Sequence, residues 1–177
     1  GSFAPTLGML KHNLKTFGIT PDSIDAILLT HIHPDHIGGF ATKEGERVFP
    51  NATIYLSENE LRYWTSSQEA NKESINQAFF PFHHQQLMPY LENDKVKVLD
   101  LHASIFQKIS VISTYGHTPG HVAYKLNTEI PFYFIGDLIH FESIQISDLE
   151  LLNQQDLDGK MAIQSRLQFF STLPEKE

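Results

Sequence analysis

The sequence predicts an α/β fold, and three observations predict it. Apolar runs of strand length recur at 26–30, 53–56, 95–99, 109–115, 121–126 and 132–135. Apolar residues recur at helical spacing near both ends of the chain, and the run at 53–56 passes directly into a helix-opening Ser-x-x-Glu pattern, which makes a βα unit. With 177 residues, 41% hydrophobic and 19% charged, the chain can bury the core that such a fold needs, and a single domain over 1–177 is the economical count.

Taken in order, Leu7, Leu10, Leu14 and Phe17 place a core-facing helix over 5–17, with Pro5 in its first turn and Gly18 as its stop. Thr20-Pro21-Asp22 opens a short turn. The run Ala26-Ile27-Leu28-Leu29-Thr30 reads as a strand buried on both faces. Thr53–Leu56 is the next strand, with Ser57 capping the helix that follows and Glu60 as the capping-box partner. Residues around 58–94 read as a helical insertion, its pattern interrupted at Pro81 and Pro89. Four short strands follow. A last helix runs to Leu173, capped by Asp158, with Met161, Leu167 and Phe170 as its buried stripe and Pro174 as its end.

The first of these strands delivers Thr30-His31-Ile32-His33-Pro34-Asp35-His36-Ile37-Gly38-Gly39. A His-x-His-x-Asp-His string arises by chance on the order of once in ten thousand chains of this length. Side chains alternate along an extended segment, so His31 and His33 point to one side and can share one ion, while Ile32 faces the other way. Pro34 turns the chain before Asp35 and His36, and two ligand pairs flanking a bend suggest two metals.

Gly116-His117-Thr118-Pro119-Gly120-His121 sets His117 in a glycine-bounded loop at a strand end, where it supplies a third imidazole for a tetrahedral site with one open position. His121 reads as structural rather than a ligand. Asp137, in Gly136-Asp137-Leu138-Ile139-His140, ends another strand, and its two oxygens suit a bridge between two metals. His140 is placed to touch substrate or support a ligand. Adjacent His83 and His84 diverge by about 100° on a helix and read as surface residues. The aromatic and methionine-bearing insertion, with Trp64, Phe79, Phe80, Phe82 and Met88, reads equally as an apolar pocket wall or as ordinary helix packing.

Composition narrows the function classes. A formal net charge of −8 disfavours a nucleic-acid backbone as partner, and no apolar run approaches the roughly 20 residues of a membrane span. The absence of cysteine excludes thiolate ligands and cysteine nucleophiles and leaves the compartment open, whether cytoplasmic or periplasmic after loss of a leader.

The order His-x-His-x-Asp-His-x-Gly-Gly, Gly-His-Thr-Pro-Gly-His and Gly-Asp resembles the metallo-β-lactamase fold superfamily over nearly the whole chain. The Gly-Asp-Leu-Ile-His segment, Ile144-Gln145 and Gln155-Asp156-Leu157-Asp158 are similar to its methyl parathion hydrolase and lactonase-like branch. The resemblance implies an αββα sandwich in which His31, His33 and His117 hold the first metal, Asp35 and His36 the second, and Asp137 bridges them. It also implies two zinc ions in the complete protein, with manganese, iron or cobalt suited to the same ligands. Against the family pattern, the chain lacks the opening β-hairpin and the late histidine ligand. It therefore reads as a fragment incomplete at both ends, its exposed sheet edges a route to self-association.

The reaction so implied is hydrolysis of a small-molecule ester, lactone or phosphotriester by hydroxide formed at neutral pH, with Asp35 and Asp137 orienting the nucleophile and carrying its proton. Two rivals stand beside it: an iron-dependent redox enzyme on the same fold, and a catalytically incomplete fragment or binding module.

Overall fold

Parallel pairing organises the first half of the chain. In the computed structural model, which describes residues 8–72 and 77–173, β1 (Ala26–Leu28) and β3 (Val96–Val98) flank β2 (Thr53–Leu56), with Ile27 opposite Ile54 and Leu56 opposite Val98. The alternation of β2 explains its central place: Ile54 and Leu56 are fully buried, while Thr53 and Tyr55 are half-buried. β1, an edge strand, is half-buried rather than enclosed on both faces, and full burial begins at Leu29.

Antiparallel pairing organises the second half. β4 (Ile109–Ser113), β5 (Val122–Leu126) and β6 (Phe132–Phe134) form a sheet in that order, with Val111 opposite Tyr124 and Tyr124 opposite Phe134. Its core gathers Ala123, Leu138 and Phe169, against which Ile112, Tyr133 and Ile135 pack. The described chain divides into two compact units, Gly1–Leu56 with Trp64–Val98 and Ser57–Tyr63 with Leu99–Glu177.

The helices correct the sequence reading in three places. α1 (Leu10–Thr16) buries no residue, and Leu10 is 51% and Phe17 81% exposed, so it is not core-facing among the described residues. Periodicity shows that one face is apolar; it does not supply a partner for that face. Pro5 and Leu7 lie outside the described residues.

Between β2 and β3 run α3 (Glu58–Thr65), α4 (Ser67–Ala70), a 3-10 turn at Gln77–Phe79 and α5 (Phe80–Leu91). α5 continues through both prolines. Pro81 sits in the first turn, where a backbone N–H would have no helical partner, and Pro89 falls in the last, where only one ladder bond is forgone. His83 on this helix is 1% exposed, against the expectation of a surface position, while His84 is exposed as expected.

After the four-residue α6 (Glu142–Gln145), α7 (Gly159–Ser171) starts where the Asp158 carboxylate accepts from the Met161 N–H at 3.0 Å. It buries Ala162, Arg166 and Phe169, not the stripe through Met161 and Leu167, which are 42% and 39% exposed; Phe170 is half-buried. The central position is taken by an arginine, which an apolar pattern passes over. Its burial is supported by Nε donating to Leu138 O, Nη1 donating to Leu149 O and Leu151 O, and an ion pair with Asp156. Pro174 lies outside the described residues.

Candidate metal centre

The first unit presents its ligand candidates where β1 runs out. Leu29 still pairs with β2, donating from its N–H to Tyr55 O; the chain bends at Thr30 and is extended again at His33, which has φ −123° and ψ 158°. Two residues apart on an extended chain, the His31 and His33 rings meet on one side, with His31 Nε2 3.1 Å from His33 Nδ1. Both rings are buried, and so is Ile32 on the opposite side. Thr30 Oγ1 lies 3.2 Å from His31 Nδ1 and can accept its proton, which leaves the Nε2 lone pair outward.

Pro34 then opens α2 (Pro34–Ile37), a single turn in which a proline at the first position lacks only an N–H that has no helical acceptor. The turn raises Asp35 and His36 on its far side, where Asp35 Oδ2 lies 3.4 Å from His36 Nε2 and the His36 ring centroid is 4.1 Å from that of His31. Asp35 is exposed and His36 half-buried.

α5 braces this loop from behind. The Gln86 side-chain carbonyl accepts from the N–H groups of Phe40 and Ala41, and Tyr90 Oη accepts from Phe49 N and donates to Phe40 O. A Cβ on Gly38 would stand 2.6 Å from Pro34 O, which explains the glycine.

The second unit holds His117, Asp137 and their supports. His117 is 2% exposed; its Nδ1 donates to Asp156 Oδ1 at 3.0 Å, and its Nε2 faces Asp137 Oδ2 at 3.3 Å. Burial alone would lower its pKa, but the two flanking carboxylates outweigh burial and raise it above the usual 6.5. Asp156 is in turn held by Arg166 at 3.4 Å, so a buried chain Arg166–Asp156–His117 fixes the ring.

His140 Nε2 lies 3.3 Å from the same Asp137 oxygen, and its Nδ1 accepts from the Asn153 amide at 2.7 Å, which places the proton on Nε2. His121 is structural: its Nε2 accepts from the Asp137 N–H at 3.0 Å and its Nδ1 donates to Thr114 O at 3.1 Å.

The loop carrying His117 is built around Glu60. Ser57 Oγ caps α3 by accepting from Glu60 N, as the capping-box pattern predicts, and also donates to Gly120 O. The fully buried Glu60 carboxylate reaches across sequence to accept from Thr118 Oγ1 at 2.7 Å and Gly120 N at 3.0 Å. On the other side, Gly116 has φ +127°, and a Cβ there would lie 2.1 Å from Ala162 N in α7.

The donor chemistry fits metal ions. In each unit a pair of ligand atoms lies 3.1 to 3.3 Å apart, near the roughly 3.4 Å separation of two donors on one tetrahedral zinc with bonds of about 2.0–2.1 Å, and the outer nitrogens of His31 and His117 have partners of their own. The sequence missed the supports: Arg166 and Asn153 carry no local motif, Asp156 lies in a segment that reads only as a branch resemblance, and Glu60 reads only as half of a cap.

The metallo-beta-lactamase superfamily model matches residues 1–169. The chain belongs to that superfamily. Its fold is the metallo-beta-lactamase fold, shared with two solved structures at a TM-score of 0.85. One is described as the hydrolase AbOPH in the beta lactamase superfamily, at 38% identity over 96% of this chain and 60% of that one. The other is AidC, a dizinc quorum-quenching lactonase in complex with a product, at 30% identity over 98% of this chain and 62% of that one.

Among curated relatives, a hydroxyacylglutathione hydrolase of Buchnera aphidicola subsp. Schizaphis graminum is 32% identical over 64% of this chain and 33% of its own length. The chain thus spans a third to about three fifths of these relatives. Among the described residues, no helix is long and apolar enough to cross a membrane.

Proposed function

We propose that the chain belongs to a metal-dependent hydrolase that uses His31, His33 and His117 for one zinc ion and Asp35 and His36 for a second, with Asp137 between them. The observation that carries this reading is the paired ligand geometry: His31 Nε2 beside His33 Nδ1, and His117 Nε2 beside Asp137 Oδ2, with the Asp156 carboxylate engaging the outer nitrogen of His117. A cap or turn aspartate would not account for a carboxylate oxygen set 3.3 Å from two imidazole nitrogens.

When bound, the metals supply Lewis acidity, lowering the pKa of water from 15.7 toward about 7 and polarising a carbonyl or phosphoryl oxygen. The residues do the rest. Asp156 keeps the His117 proton on Nδ1, so its Nε2 lone pair stays available. Asp137 is held by His121 at its backbone N–H, with His140 Nε2 3.3 Å from its side chain, and Asp35, exposed on α2, can take and release a proton to solvent.

The proposed substrates are small esters, lactones or phosphotriesters. Support comes from AidC, described as a lactonase with bound N-hexanoyl-L-homoserine, and from an N-acyl homoserine lactonase of Bacillus sp that is 28% identical over 66% of this chain. The test is zinc content measured by elemental analysis, together with hydrolysis of lactone, ester and phosphotriester panels before chelation, after chelation and after zinc is restored. Activity that disappears and returns with zinc is expected; turnover unaffected by chelation overturns the reading.

A further inference from the structure

β6 pairs with β5 on one side only and is an edge strand among the described residues. The ladder fixes which of its backbone groups are spare. Thr114 N–H donates to His121 O and Asn127 N–H to Lys108 O, so by alternation Ala123 and Lys125 turn their backbone groups toward β4. Tyr124 and Leu126 then turn theirs toward Phe134 and Phe132. Left facing outward are Pro131 O, Tyr133 N–H, Tyr133 O and Ile135 N–H, because N–H and C=O point opposite ways across a trans peptide.

This row of groups is its own complement. When two β6 strands meet antiparallel about Tyr133, each Tyr133 exchanges both of its bonds with its counterpart, and each Ile135 N–H meets Pro131 O of the other copy. The remaining bonds of such a ladder are missing from both sides together. Pro131 has no N–H to give, and Ile135 O already accepts from Leu138 N–H at 3.2 Å. No donor or acceptor is stranded.

The side chains select the same register. Phe132 and Phe134, 61% and 54% exposed, stand on one face with ring centroids 5.3 Å apart. The two-fold sets each Phe132 opposite Phe134 of the other copy in a non-hydrogen-bonded pair, where side chains approach most closely, so the phenyl rings cover one another. Edge strands ordinarily carry a charge that blocks such pairing, as exposed Lys97 does at the centre of β3. Across 130–136 there is none.

We infer that the chain forms a two-fold dimer in which β6 joins β6 to make one continuous antiparallel sheet. The inference is independent of the hydrolase reading. With Ile130 also exposed, joining the edges covers on the order of 500 Å2 per copy, about 1,000 Å2 in all, which is the lower end for a specific interface and makes the dimer a weak one. The contact occupies β6 in both copies, so it stops at two.

The experiment is sedimentation of the chain from about 1 to 200 µM, with a chelator present so that zinc cannot bridge histidines of two copies; a monomer–dimer equilibrium with a dissociation constant on the order of 10 µM is expected. Amide exchange over 131–136 should slow as concentration rises. A chain carrying Phe132→Lys and Phe134→Lys, and another carrying Phe132→Glu and Phe134→Glu, should each dimerise about tenfold or more weakly, and mixing the two should restore a heterodimer because opposite charges then face each other. That recovery also shows that both variants fold. A wild-type monomer throughout the range, association that needs zinc or runs past the dimer, and variants that stay dimeric alone or monomeric when mixed each overturn the inference. So do 131–136 amides that exchange slowly at every concentration, because the edge is then covered within one copy.

Discussion

His117 and His83 are both almost fully buried, and their surroundings drive them in opposite directions. Around His117 the chain places two carboxylates, and the raised pKa follows from them against the opposing pull of burial. Around His83 it places Trp64, Phe79 and Phe80; burial, with His33 nearby, pushes the pKa down to about 3. The lesson is that burial does not make a histidine a metal ligand. The neighbours decide its chemistry: two carboxylates hold the His117 proton, whereas the aromatic rings around His83 offer it no acceptor.

The largest effect should come from removing a ligand. His31→Ala and His117→Ala should each weaken zinc by more than the roughly hundredfold seen for outer partners, read by competition with a colorimetric chelator. Retained stoichiometric zinc in either variant would break the comparison.

Next is Glu60→Ala, which leaves the buried Thr118 hydroxyl and Gly120 N–H without their acceptor and should cost about 3 kcal/mol in urea unfolding. A loss under about 1 kcal/mol would reduce Glu60 to a helix-end residue.

Asp156→Asn should weaken zinc about tenfold to a hundredfold and move the His117 pKa back toward 6.5, measured by ring NMR of the metal-free chain. A raised pKa means that the His117 proton stabilises the metal-free fold fully below 6.5, and that this contribution is lost as pH rises through the raised value.

For His83 the sign reverses. Its folded pKa lies below 6.5, so the unfolded chain binds the proton first and stability falls as pH drops from 6.5 toward about 3, by about 1.4 kcal/mol per pH unit. His83→Phe should flatten that acid limb, and an unchanged slope would show His83 protonating freely in the folded state. The smallest effect belongs to Met161→Gln, within about 0.5 kcal/mol, since that position is exposed on α7.

Much of this was legible in the sequence because it is local. Two-residue alternation sets His31 beside His33, a proline turns the chain before Asp35, and β2 declares itself by Ile54 and Leu56. Asp158 and Ser57 announce their helices by side chains that bond within three residues. What stayed hidden is what depends on partners distant in sequence. Glu60 meets Thr118 and Gly120, and Asp156 meets His117, across 39 or more residues. Arg166 occupies a core position that an apolar count assigns to its neighbours. Adjacent helical positions diverge, which settles that His83 and His84 differ but not which of them faces inward.

The most direct test of the central claim is a zinc titration of the 15N-labelled chain followed through its histidine ring nitrogens. The account predicts that the coordinating nitrogens of His31, His33 and His117 shift on zinc binding, with His117 keeping its proton on Nδ1. His83 should retain the two distinct nitrogen signals of a neutral, uncoordinated ring, down to pH 5. Coordination shifts at His83, or a His117 ring untouched by zinc, would contradict it.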